Sequence, residues 1–183
     1  MKPLLIALAA GLLLVLPAVA QKYAARAGTV TFFSSAPLED ISARNTQVAA
    51  SIDLGTQQLA FVVPMKEFVF ANGLMQQHFN ENYVESDKYP RATFSGRLLD
   101  WPAAGLPASG AVPVQVEGEL TIRGVKRRIR VPGTLERQGA QLVATTRFDV
   151  APADYHIEIP ALVREHIAKS VTVRVQAVCA PQP

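Results

Sequence analysis

Residues 72–96 read NGLMQQHFNENYVESDKYPRATFSG, and the change of period inside this stretch decides the fold. Leu74, Met75, Phe79 and Tyr83 fall on one stripe at helical spacing, and Asn72 stands where an N-cap side chain accepts the first free amides. One face of a short helix therefore wants burial. Lys88-Tyr89-Pro90 ends that period, because the residue before a proline is pushed toward extended backbone. Ala92, Phe94, Gly96 and Leu98 then alternate with Thr93, Ser95 and Arg97, which is the two-residue period of a half-buried strand.

Working outward, the same alternation recurs on both sides. Thr29 to Ser35 is a strand preceded by a turn at Ala27-Gly28, and Ala36 to Asn45, with a proline and paired acids, reads as a connecting loop. Val48 to Leu54 and Leu59 to Val63 form a hairpin about Gly55-Thr56, and Pro64 stops that ladder for want of an amide. After a loop at Asp100 to Gly110, with Trp101 over the barrel end or on its surface, come strands at Val112 to Ile122 and, past Gly124, Val125 to Leu135. Leu142 to Val150 and Val171 to Ala177 follow, with a short helix read at Ala161 to Ala168. Eight two-sided strands hide their edges by closing on themselves. The fold expected is all-β: a closed antiparallel eight-stranded barrel with one short inserted helix.

Three segments carry a resemblance: His78 to Gly96 (HFNENYVESDKYPRATFSG), Gly118 to Val125 (GELTIRGV) and Phe148 to Ile157 (FDVAPADYHI). In order and spacing they resemble the YceI-like family of bacterial envelope proteins. The resemblance implies a lipocalin-like barrel that binds an isoprenoid lipid or isoprenoid quinone, and it supplies no catalytic residue. The chain departs from many members at Ala36–Asn45, which lacks their histidine- and leucine-bearing segment.

Lys2, the apolar run Leu4 to Leu16 and the ending Ala18-Val19-Ala20 have the three-part form of a secretory signal peptide, so residues 1–20 are read as a leader and 21–183 as one barrel domain. A membrane anchor is the competing reading, but the apolar run is short for a bilayer. The expected location is periplasmic or secreted. A formal charge of +3, to which Lys2 contributes, is a small excess and does not suggest a nucleic-acid partner. Cys179 is the only cysteine, so stability rests on the core, with a disulfide to a second molecule left open. No cofactor is called for, and the oligomeric state is left open.

The expected lumen lining is Phe32, Phe61, Val63, Met75, Phe79, Phe94, Leu120, Ile122 and Phe148, with Met75 and Phe79 forming a plug or lid. Small inward residues (Ala50, Ala92, Gly96, Gly118, Ala144, Ala177) either leave volume for a ligand tail or thin a filled core around the helix. A filled barrel acting as an envelope or partner-binding protein is thus a rival. A metal-dependent hydrolase built on His78, Glu81 and Glu85 is weaker, because zinc needs three or four convergent ligands and His78 adjoins Phe79 on the apolar side, the place of a buried histidine. Ser34, Ser35 and Asp40 form no recognisable triad. In RGVKRRIR (Arg123 to Arg130), alternation turns Lys126, Arg128 and Arg130 outward, either as a solvated face that guards the sheet or as a transient contact with anionic membrane headgroups, outside the pocket. For the leader, mass analysis of exported protein is expected to give a chain beginning at Gln21; a product that keeps Met1 inside the cell overturns the export reading.

Overall fold

In a computed structural model the described residues are 22–102 and 105–182; the leader assigned to 1–20 and its boundary at Gln21 lie outside them. The strands are β1 (Lys22–Ser35), β2 (Asp40–Asp53), β3 (Gln58–Pro64), β4 (Val69–Phe70), β5 (Arg91–Leu99), β6 (Ala111–Ile122), β7 (Val125–Gln138), β8 (Gln141–Val150) and β9 (Val171–Pro181). They hydrogen-bond in the order β1-β9-β8-β7-β6-β5-β3-β2, and β1 also pairs with β2, so the sheet closes into an eight-stranded antiparallel barrel. The two-residue β4 is an addition to the far end of β2, where Ala43 opposes Phe70 and Arg44 opposes Val69.

Two boundaries differ from the sequence reading. Ala27-Gly28 is not a turn, because β1 runs from Lys22 and the pair sits at a register shift against β2. A Cβ on Gly28 would lie 3.2 Å from the Val48 carbonyl oxygen, which shows how closely the backbones approach at this bulge. Residues 40–45 are strand, not loop. Of their inward positions only Ile41 is large and apolar, while Ala43 is small and Asn45 polar, so no hydrophobic period shows. Asn45 is fully buried and hydrogen-bonded: its Nδ2 donates to the Pro64 carbonyl (2.7 Å) and its Oδ1 accepts from the Gln47 amide (2.8 Å). It thereby satisfies backbone left bare where β3 ends and before β4 begins.

The inserted helix α1 covers Gly73–His78, with Asn72 Oδ1 accepting from the Leu74 amide at 2.9 Å as its cap. It does not continue as an α-helix to Tyr83: Phe79–Tyr83 widens into a π-turn, closed by the Val84 amide on the Phe79 carbonyl at 2.9 Å. The next turn hangs on Glu85, whose carbonyl accepts the amides of Lys88 (2.9 Å) and Tyr89 (2.8 Å), while Pro90 offers its carbonyl to the Met65 amide (2.9 Å). The short helix read at Ala161–Ala168 is only a 3-10 turn at Ala161–Val163, flanked by Pro160.

The core divides into two regions. At one end of the barrel Ile52, Leu98, Leu135, Leu142 and Cys179 pack together, and Trp101, Leu54 and Leu106 lie half-buried against them. Cys179 is fully buried in register with Leu142, and burial pushes its thiol pKa up to about 11. That corrects the option of a disulfide to a second molecule, since the sulfur is inaccessible in the folded chain. At the other end Val30, Val48, Met65, Phe68 and Val84 form the second region, beneath the helix. Between the two, Gly96 and Gly118 oppose each other on β5 and β6 and the Phe94 ring lies over both. A Cβ on Gly118 would stand 2.4 Å from the Ser95 carbonyl oxygen and 2.6 Å from Phe94 Cζ.

The β6–β7 hairpin tip, Arg123-Gly124, has positive φ at both residues (49° and 74°), the signature of a two-residue type I′ turn. From this tip Arg123 donates to the Glu85 carboxylate and to the His156 carbonyl, and both partners also have left-handed backbone (φ 48° and 55°). One guanidinium thus fastens the end of the helical insertion and the segment after β8 to the hairpin, and it holds the Glu85 pKa below the ordinary glutamate value.

Two outcomes follow from this packing. Gly118→Ala is expected to destabilise the protein by about 1–3 kcal/mol, read as a lower urea midpoint, and Phe94→Leu in the same chain restores only part of it because the backbone contact remains. The lowered Glu85 pKa means that its contribution is present above the ordinary value of 4.5 and is lost as pH falls through the lowered one. Glu85→Gln should therefore unfold at lower temperature than the native chain at neutral pH, and the gap should close below that range; a gap that persists in acid removes the carboxylate from this role.

Candidate functional site

The barrel encloses a cavity of about 540 Å³, in the range of small-molecule sites. Its floor is the packed end of the barrel, reached at Ile52, Leu59, Leu98 and Leu135, and its upper part is bounded by the helix and the segment after β8. Alternation along the strands puts the apolar residues inward, so the wall is almost wholly hydrocarbon. Phe32 comes from β1, Phe61 and Val63 from β3, Phe94 from β5, Leu120 and Ile122 from β6, and Phe148 from β8. The helix and π-turn bring Met75 and Phe79 to the same cavity. All nine residues expected in the lumen therefore line one space.

The upper end is aromatic. Phe79 sits 5.6 Å from Phe32, 5.5 Å from Phe68 and 5.1 Å from Phe70 between ring centroids, and Phe32 also meets Phe68 and Phe70 at 5.5 Å each. Phe32 and Phe79 are stacked and the other pairs are tilted or edge-on, arrangements that suit the ring quadrupoles at about 0.5–1.5 kcal/mol per pair beyond area burial. Phe79 thus both lines the cavity and anchors the insertion to the barrel. The stripe read from sequence divides here: Met75, Phe79 and Tyr83 are half-buried, whereas Leu74 is 59% exposed. The π-turn rotates the later residues away from an ideal helical stripe.

Phe68 and Phe70 are lining residues that the sequence reading missed. Their spacing of two, just after Pro64, carried a strand signal, but two residues of β4 are too few to show a period. Ile157, Ile159, Val163 and Ile167 also line the cavity, from a segment with no regular period to announce them.

Polar groups cluster at the rim. His78 lies exposed at the cavity edge, which corrects the expectation of a buried histidine; it is the last residue of a one-and-a-half-turn helix and faces out over the opening. Across the opening His166 Nδ1 is 3.4 Å from Glu39, and Ser34 Oγ, buried within the wall, accepts from the Ala168 amide at 2.9 Å. Tyr83 is a half-buried phenol whose pKa burial raises. Among the described residues no three His, Cys, Asp or Glu converge as metal ligands. Lys126, Arg128 and Arg130 face outward as expected, with Lys126 paired to Glu119 (2.9 Å) and Arg128 to Glu117 (2.6 Å).

Comparison with solved structures places this architecture. A polyisoprenoid binding domain from Saccharophagus degradans, implicated in plant cell wall breakdown, superposes with a TM-score of 0.76 at 18% identity, covering 88% of this chain and 99% of that one. BcnA of Burkholderia cenocepacia gives 0.68 at 19% identity, covering 84% and 96%. The YCEI protein of Campylobacter jejuni gives 0.58 at 11% identity, covering 75% and 81%. At these identities the likeness is one of fold. Comparison with curated proteins by sequence finds no match. The model of the YceI-like domain matches residues 22–179, nearly the whole described barrel, and the chain belongs to the YceI-like family.

Proposed function

We propose that this protein binds the apolar tail of an isoprenoid lipid or isoprenoid quinone, and that it is a binding protein and not a catalyst. The observation that carries this reading is the cavity of about 540 Å³ with an almost wholly hydrocarbon wall, floored by packed core and open past the helix. Burial of hydrocarbon contributes about 0.8 kcal/mol per methylene, so a few isoprene units suffice for tight binding without polar contacts. That the Saccharophagus degradans neighbour is a polyisoprenoid binding domain supports an isoprenoid over other apolar chains. A filled barrel is disfavoured by the volume that the small inward residues and the aromatic rim leave open.

The protein acts, in this reading, after export, in the periplasm or outside the cell, and takes its ligand at a membrane surface. Leu38, Leu74 and Leu162, exposed on the segments that frame the opening, support such contact, because isolated apolar groups at a lipid entrance can enter the headgroup layer. The outward Lys126 and Arg128 are already paired with glutamates, so they add less than unpaired charges would.

Paired thermal unfolding with and without farnesol, for the native chain and for Phe79→Ala and Met75→Ala, tests the site. At about one hundred times its Kd a ligand adds roughly 2.7 kcal/mol to folding stability, and both variants should gain less. Phe79→Ala should also cost the apo protein, by up to about 3–5 kcal/mol if its aromatic contacts are wholly structural. Equal ligand-induced shifts in all three proteins remove Met75 and Phe79 from the site. No shift in the native chain, repeated with a longer isoprenoid, returns the protein to the filled-barrel class.

A further inference from the structure

The barrel wall has an opening that the tail site does not explain. β7 and β8 are hydrogen-bonded only from Gly133 opposite Thr146 to Gln138 opposite Gln141, although β7 begins at Val125 and β8 continues to Val150. The ladder stops at Pro132. Its carbonyl faces β8 and accepts from Thr146 Oγ1 at 2.6 Å, so the amide it lacks is on the same side, and the next rung has no donor. Beyond that point the strands part, and the turn Pro152–Tyr155 bridges them again where Arg127 Nε donates to the Asp154 carbonyl at 2.8 Å. The result is a window. Ile129, Val131, Phe148 and Val150 line both this window and the main cavity, so the two are joined by an apolar floor.

The rim of the window is basic. Arg127, Arg128, Arg130 and Arg147 line it, with Asp149 and Asp154. Arg128 is engaged by Glu117, Arg127 donates to backbone, and Asp149 accepts from Thr172 Oγ1 at 2.7 Å. Glu119 is taken up by Lys126 on the strand's outer face, and Arg174 of β9 stands opposite Arg147 in register. Among the described residues Arg130 and Arg147 make no side-chain hydrogen bond or ion pair, and both are exposed at the edge of a hydrocarbon passage. A planar guanidinium offers paired N–H donors that match phosphate oxygens, and it does so more strongly beside low-dielectric surface than in open water.

Resting on the tail-binding reading above, we propose that this window holds the anionic head of the bound amphiphile, a phosphate or diphosphate, on Arg130 and Arg147 while the tail lies in the cavity. The bland account of these arginines is protection of two open strand edges against mispairing. That account predicts no effect on ligands.

The test measures binding of farnesyl diphosphate, farnesol and inorganic diphosphate to the native chain and to the double variant Arg130→Gln, Arg147→Gln, with an unchanged unfolding midpoint as the check on folding. Expected are a native affinity for farnesyl diphosphate at least tenfold above that for farnesol, its loss in the variant and in high salt, and an unaltered farnesol affinity. Arg130→Lys, Arg147→Lys should restore only part, since the charge returns without the fork. Equal binding of both isoprenoids, unmoved by the variant, overturns the head site and leaves the tail site standing. Arginine-dependent binding of inorganic diphosphate as tight as that of farnesyl diphosphate, with no farnesol binding, marks a site for free phosphate and overturns both. Binding of none of the three probes also overturns both.

Discussion

Closure of the sheet is the constraint on which everything else depends. Each strand leaves amides and carbonyls bare along its sides, and β1 settles the account by hydrogen-bonding to β9 on one side and to β2 on the other. Closing eight strands fixes a diameter, and that diameter leaves a lumen which side chains only partly fill. Where closure is interrupted, the molecule shows a compensating device. Asn45 satisfies the gap between β3 and β4, and Thr146 answers Pro132 where β7 leaves β8. One interruption is sealed by a buried amide, and the other is left open as a window.

The cavity exists because the two ends of the barrel are packed differently. Aliphatic residues fill the end that holds Leu142 and Cys179, whereas flat rings cluster at the end beneath the helix. Phe79 among Phe32, Phe68 and Phe70 is the joint between insertion and barrel. The paired glycines of β5 and β6 let the Phe94 ring lie against the wall instead of across the lumen. Arg123 then ties the insertion, the hairpin tip and the segment after β8 together, so three otherwise independent connections are held at one edge of the opening.

Much of this architecture is legible in the chain itself. A period of two is forced on any strand that faces core on one side and water on the other, so the eight barrel strands and the seven lumen residues they carry could be read from alternation, while Met75 and Phe79 came from helical spacing. Asn72 could be read as a cap because a free helix amide needs an acceptor two residues earlier. The pattern failed wherever burial and apolarity part company, as at Ala43 and Asn45, which are inward without being large or greasy.

What the sequence determined by itself was the barrel, the parity of its walls and the short helix, since each is a local period imposed by backbone geometry. Only the tertiary structure decided that the lumen stays open, that His78 stands in solvent while Cys179 is sealed, and that β7 and β8 part beyond Pro132. Those outcomes depend on how side chains distant in sequence share a volume, as Phe32 and Phe79 do, and on which strand a carbonyl happens to face. Neither is encoded in any local period.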